Sequence, residues 1–183
     1  MKFEEQSIPG IYKITLNSFR DDRGAFARLF CTQELAEQGL NVSCQQINQS
    51  YTKDKGSFRG VHYQFGPFAE TKIIRCLRGR ILDIGVDLRK NSPTLFSSYA
   101  VELSEDNDTM LLLPPGVGHA FQTLTDDCTL IYFHSSFYNP AFEGGVRYDD
   151  PKINLNLPLP VANISTRDMN HPLLTSNFSG IDI

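Results

Sequence analysis

Between Arg59 and Gln64 the stretch FRGVHYQ sets an arginine, a histidine, a tyrosine and a glutamine within six positions, in a chain of 183 residues that has only four histidines. An imidazole so placed has three uses: metal ligand, general base titrating near neutral pH, or hydrogen-bonded core residue. Four other side chains bear on the choice. His119 follows a proline-glycine turn in PPGVGH at 114–119. Asp83 interrupts the apolar run RILDIGVD, where a carboxylate needs a partner if it is buried and is otherwise an exposed strand residue. Lys72 opens the run KIIRCL, and Tyr132 lies inside LIYFHS. Taken alone, those two read as a surface lysine at a strand start and a core aromatic.

The elements that must position these residues are short strands. From residue 72 onward apolar residues alternate or cluster in blocks of four to eight, divided by RGR, KNSPT, SEDND, PPG and TDD. Such blocks, with no helical periods between them, predict a mainly β fold: an antiparallel sandwich or jelly roll with a few short helices. One helix is expected over CTQELAEQGL at 31–40, with Thr32 as N-cap and Gly39 near its end. The proline- and asparagine-rich C-terminal segment predicts an ordered wrap with few regular elements. The length suits one domain, 1–183, with its jelly-roll core at about 45–150 and the wrap at 151–183. Asp87, in the same strand as Asp83, reads as structural.

Composition narrows the function. A net charge of -4 and a pI near 5.5 disfavour a nucleic-acid binder, which meets phosphates with a basic face, although a local basic pocket fits within that total. The N-terminus carries no apolar run of signal-peptide length and no stretch approaches a membrane span, so a cytoplasmic protein without a membrane partner is expected. Cys31, Cys44, Cys76 and Cys128 lack CxxC spacing and read as small buried hydrophobes with free thiols.

Metal binding at His62 can be tested on ligand count. Cupin jelly rolls hold metal with an H-x-H pair and a carboxylate on one segment and a further histidine after a P-x-G turn. PPGVGH resembles the second half, but residues 62–64 read His-Tyr-Gln and the next side chain at comparable reach is Lys72, a cation. His62 and His119 alone make too thin a site, so no metal is expected there.

Two uses remain: a hydrogen-bonded core histidine, which is the default for an isolated one but loses weight inside RGVHYQ, and proton chemistry, where the sequence resembles a known family. DDRGAF (21–26), QINQS (46–50), FRGVHYQ (58–64), the run ETKIIRCLRGRILDIGVDLRKNSPT (70–94), LLPPGVGHAFQTL (112–124), IYFHSSFYNP (131–140), GGVRYDDP (144–151) and ISTRD (164–168) occur in the order seen in the dTDP-4-dehydrorhamnose 3,5-epimerase family. The resemblance covers nearly the whole chain. It implies an isomerase without a cofactor, acting on a nucleotide-diphospho-4-keto-6-deoxy sugar whose C3 and C5 hydrogens are acidified by the C4 ketone. By that resemblance His62 is the base and Asp168 its partner, Lys72 stabilises the enolate oxygen, Tyr132 donates a proton to the far face, and His119 with Asp83 forms a second pair beside the sugar. Arg23, Arg59 and Arg167 match positions that hold the diphosphate, Arg167 standing where lysine is usual. Gln46 and Asn48 match the nucleotide contacts, and Glu143, Phe19, Phe26 and Tyr138 are further substrate-binding candidates. The family also implies a homodimer, which would cover open strand edges.

The chain departs from the family pattern at Arg28, where glutamate is frequent, and in GVGHAF, where GFAHGF is usual. Both border the substrate pocket. They leave open which nucleotide is bound and whether C3, C5 or both are inverted. Two readings from other classes stand beside this one: a metal-dependent cupin enzyme and a catalytically silent sugar-binding cupin.

Overall fold

The structure is a computed structural model describing residues 1–183. Its strands are β1 (Lys2–Glu5), β2 (Tyr12–Thr15), β3 (Phe19–Asp21), β4 (Gly24–Phe26), β5 (Gln46–Thr52), β6 (Ser57–Gln64), β7 (Lys72–Arg78) and β8 (Arg80–Asp87). They continue with β9 (Ser98–Ser104), β10 (Thr109–Leu113), β11 (Val117–Thr123), β12 (Cys128–His134), β13 (Glu143–Gly145) and β14 (Asn163–Ile164). The expected divisions at Gly79, the 88–97 loop, 105–108, 114–116 and 124–127 all fall between strands.

Two facing sheets make the cupin-type jelly roll. One runs β1-β2-β10-β7-β12-β5 and the other β13-β6-β11-β8-β9, with β14 beside the outer edge of β6. The expected core at about 45–150 is thus extended on one side by β1 and β2, which pair onto β10. Side chains sort by the two-residue period of a strand. Ile74, Leu111, Leu113 and Leu130 of the first sheet meet Ile81, Leu103, Val117 and Phe121 of the second, with Tyr132 packed against them. Ile73, Met110, Leu112 and Phe133 face the other way, onto Leu35 and Phe30. Phe58, Val61, Ile84 and Ala120 point outward from the second sheet and are covered by Val146, Ile153 and the 155–181 wrap.

The helix is shorter than the sequence predicts. α1 spans Thr32–Ala36, and its cap is Cys31 in extended conformation with no side-chain capping bond; Thr32 is already helical. Gly39 then takes φ +75 and turns the chain, as expected of a terminating glycine. All four cysteines are free, but only Cys76 and Cys128 are buried, Cys31 and Cys44 being partly exposed. Burial pushes the Cys76 thiol up to about 12. No helix is long and apolar enough to cross a membrane.

Asp87 bears out its structural reading. Its two oxygens accept from Arg89 Nε and Nη2, both at 2.9 Å, and from the Ser92 and Thr94 hydroxyls, both at 2.6 Å. Burial alone would raise its pKa, yet these bonds hold it at about 2 against an ordinary 3.8. A depressed carboxylate stabilises the fold above its unfolded pKa and loses that contribution as pH falls through the folded value. Asp87→Asn should therefore cost about 2 kcal/mol at pH 7, the gap to the parent shrinking to roughly half by pH 3. Denaturant titrations at the two pH values check this; a gap independent of pH would assign the loss to something other than ionisation.

Candidate active site

The strand period turns one set of side chains from each sheet into a shared cavity of about 520 Å³. On the second sheet His62 of β6 lies directly opposite His119 of β11. Lys72, Tyr132, Asn48, Ser50 and His134 line the cavity from the first sheet, on β7, β12 and β5.

Each histidine of the first pair has its own carboxylate. His62 Nε2 lies 2.7 Å from Asp168 Oδ1, the aspartate arriving on α2 (Thr166–Met169) of the C-terminal wrap. Asp168 is buried, and its second oxygen accepts the Gly60 N–H at 3.3 Å. Gly60 is required where it stands: at φ +126, a Cβ would come within 2.6 Å of the Ala120 Cα. Burial works to raise the Asp168 pKa, but the hydrogen bond and charge of His62, with the Gly60 and Ser165 bonds, hold it below the usual range. An ionised carboxylate at Nε2 fixes the proton there and leaves the lone pair on Nδ1. His119 Nε2 lies 2.7 Å from Asp83 Oδ1 in the same manner, and Asp83 is fully buried. That partner is what the acidic interruption of an apolar strand demanded.

The first sheet supplies acids and cations. Tyr132 Oη and Ser50 Oγ are 2.9 Å apart, and burial, above all else, pushes the Tyr132 phenol well above its usual value. It stays protonated. Lys72 Nζ is 3.3 Å from Glu70 Oε1, while Glu70 Oε2 accepts from His134 Nδ1 at 2.9 Å. Burial opposes ionisation of Glu70, yet His134 and Lys72 together hold its pKa below the usual range. His134 sits opposite Lys72 in the β12–β7 register. Glu70, His134 and Ser50 were not singled out from sequence, although each lies two residues from one that was and so shares its strand face or its approach to it.

The other candidates divide. Arg59 and Asn48 line the cavity with Tyr138 and Glu143, whose side chains are joined by a 2.7 Å bond from the phenol. Gln46 sits at the rim, donating to Asn48 Oδ1 at 3.2 Å and accepting the Tyr138 N–H at the same distance. Arg167 is ion-paired to Glu143 at 2.6 Å and lines an adjoining cavity of about 360 Å³ with Arg59, His62, Ser57 and Ser165. Phe19, Phe26 and Arg23 are not brought to the site by their own chain. They lie on the separate β3–β4 hairpin, where the two phenylalanines are 74% and 73% exposed and Arg23 pairs with its neighbour Asp21 at 2.6 Å.

Comparison with known proteins bears on what this arrangement is. Residues 5–176 match the family model described as dTDP-4-dehydrorhamnose 3,5-epimerase. The chain belongs to that epimerase family. A relative from Sinorhizobium fredii named dTDP-4-dehydrorhamnose 3,5-epimerase is 34% identical over 175 residues, covering 95% of this chain and 90% of its own. The crystal structure of the Bacillus anthracis epimerase with TDP and pyrophosphate bound superposes with a TM-score of 0.91 at 34% identity, over 94% of this chain and 99% of the other. A 3'-monoepimerase from Streptomyces bikiniensis, solved in complex with dTDP-quinovose, gives 0.85 at 33% identity over 92% and 85%. The epimerase family thus includes members that differ in the number of centres inverted.

Proposed function

We propose that this protein is a nucleotide-sugar epimerase that inverts C3, C5 or both of a dTDP-4-keto-6-deoxyhexose by removing a proton from one face and returning one to the other. The observation that carries the reading is the opposition of His62, backed by Asp168, to the protonated Tyr132 of the facing sheet, within one cavity that also holds Lys72. His62 Nδ1 takes the proton beside the ketone while Nε2–H stays on Asp168, so the imidazolium forms against a carboxylate. The Lys72 ammonium stabilises the oxygen on which the carbanion charge gathers. Tyr132 delivers a proton to the opposite face; afterwards His62 loses its own to water and the Tyr132 phenolate regains one from water, which restores both groups. Arg59 and Arg167 are the cations for the diphosphate, with guanidinium groups suited to bidentate contact.

The test is incubation of the protein with dTDP-4-keto-6-deoxyglucose in deuterated water, followed by NMR of the sugar. Deuterium at C3 and C5 with the inverted product is expected of a double epimerase, and deuterium at C3 alone of a single one. Absence of label at both carbons, with this and other nucleotide 4-keto-6-deoxy sugars, overturns the proposal.

The working unit in this reading is a homodimer. Phe19 and Phe26 face each other across β3–β4 and form an apolar pair that nothing in the chain covers. A second copy is the partner proposed, its cavity receiving the hairpin and Arg23. Sedimentation at micromolar concentration should give a dimer, and Phe19→Ser with Phe26→Ser should shift it towards monomer. A wild-type protein that sediments as a stable monomer overturns this part.

A further inference from the structure

Behind the main cavity, where the C-terminal wrap crosses β6, a third group meets the His62–Asp168 pair. His171 stands edge-on to His62, with ring centroids 6.1 Å apart. One nitrogen from each imidazole and one Asp168 oxygen all lie within 4.8 Å of one another. The Nε2 atom of His171 is buried and hydrogen-bonded to nothing. Room for it is made by Gly145, opposite His62 in the β6–β13 register, because a Cβ there would fall on the His171 ring.

We propose that His62, Asp168 and His171 form a binding site for a divalent transition metal of the zinc or cobalt class, and that occupation of this site switches the protein off. Two imidazoles and a carboxylate with water in the fourth position are a donor set that zinc accepts. Tetrahedral ligands at about 2.0–2.1 Å from the ion stand roughly 3.3 Å apart, so the three side chains reach it by rotations of about an ångström. This set is distinct from the His62–His119 pair weighed on sequence, since His119 is held on the other side by Asp83. The consequence for catalysis is a proton count. Without metal, the single proton of neutral His62 sits on Nε2 towards Asp168 and the lone pair is on Nδ1. A metal on Nε2 requires the other tautomer: the proton leaves Nε2 and Nδ1 carries one instead, the lone pair exposed on Nε2 goes to the metal, and the imidazole stays neutral but has no base left to offer. The inhibition rests on the proposed role of His62; the binding does not.

The experiment is titration of chelator-stripped protein with zinc chloride by calorimetry, and with cobalt chloride by visible absorption. One equivalent per chain with a tetrahedral cobalt spectrum is expected. In His171→Ala, and in His171→Asn as a second variant should the first fold poorly, binding should weaken at least tenfold and the cobalt spectrum be lost. In metal-free buffer either variant should keep its deuterium incorporation, and zinc should suppress it in the parent at concentrations that leave the variant unaffected. Equal zinc affinity in parent and variant, or no stoichiometric binding by the parent, overturns the site. Because the titration needs no substrate, it reads the metal site even if every 4-keto sugar fails to exchange.

Discussion

His62→Ala abolishes both deuterium incorporation and inversion, with loss of rate on the order of 10²- to 10⁴-fold or more, while leaving the fold intact. The expectation follows from what the side chain touches. His62 is the imidazole whose Nδ1 is free while its Nε2 is anchored to a buried carboxylate, and its side chain is 30% exposed to the cavity, so truncation opens space already continuous with solvent. Asp168 keeps its Gly60 and Ser165 bonds in the variant. Without a base no carbon-bound proton leaves, and exchange fails together with product. Added imidazole in the buffer should restore part of the exchange, because the truncated side chain leaves a hole of the right shape beside Asp168. Label entering at the parent's rate in His62→Ala would remove His62 from the mechanism and return it to a hydrogen-bonded strand histidine.

What the sequence showed and what it withheld have a common physical origin. Strand periodicity and turn residues are local, and they placed the blocks from residue 72 to 134 on strands whose inward faces carry Lys72, Asp83, His119 and Tyr132. Pairings across long separations are not local. The bond between His62 and Asp168 spans 106 positions and became legible only through resemblance to a family. Glu70, Ser50 and His134 were within reach of the two-residue rule applied outward from Lys72, Asn48 and Tyr132, since alternate strand residues share a face. His171 had no such signal. It lies in an irregular wrap, and its closeness to His62 depends on how α2 and the segment after it fold back onto β6. The β3–β4 hairpin is the converse case: Phe19, Arg23 and Phe26 carry the family pattern, yet their position in space is decided by chain topology, which keeps them off their own cavity. Thr32 failed as a cap for a smaller reason, because the helix begins one residue earlier than its side chain would favour.

Tyr132→Phe separates exchange from inversion. In the proposed mechanism Tyr132 is the donor; burial raises its pKa and keeps the phenol protonated, and its hydroxyl meets only Ser50 at 2.9 Å. Removing that hydroxyl costs the fold about 1 kcal/mol, the worth of one hydrogen bond, and leaves the ring in the inter-sheet core. Abstraction by His62 precedes donation, so the variant still forms the enolate. With no acid on the far face, the enolate is reprotonated by His62, which has meanwhile exchanged its proton with solvent. Substrate recovered from deuterated water should then carry label at the attacked carbon with its configuration unchanged, while inverted product falls by roughly 10²-fold or more. Ser50→Ala gives the contrasting result: it removes a partner of the phenol without removing the proton, so inversion should persist at reduced rate. Parent-like inversion by Tyr132→Phe would leave the phenol a core aromatic and require the far-face proton to come from another group lining the cavity, such as the imidazole of His119, whose ring centroid is 5.9 Å from that of Tyr132.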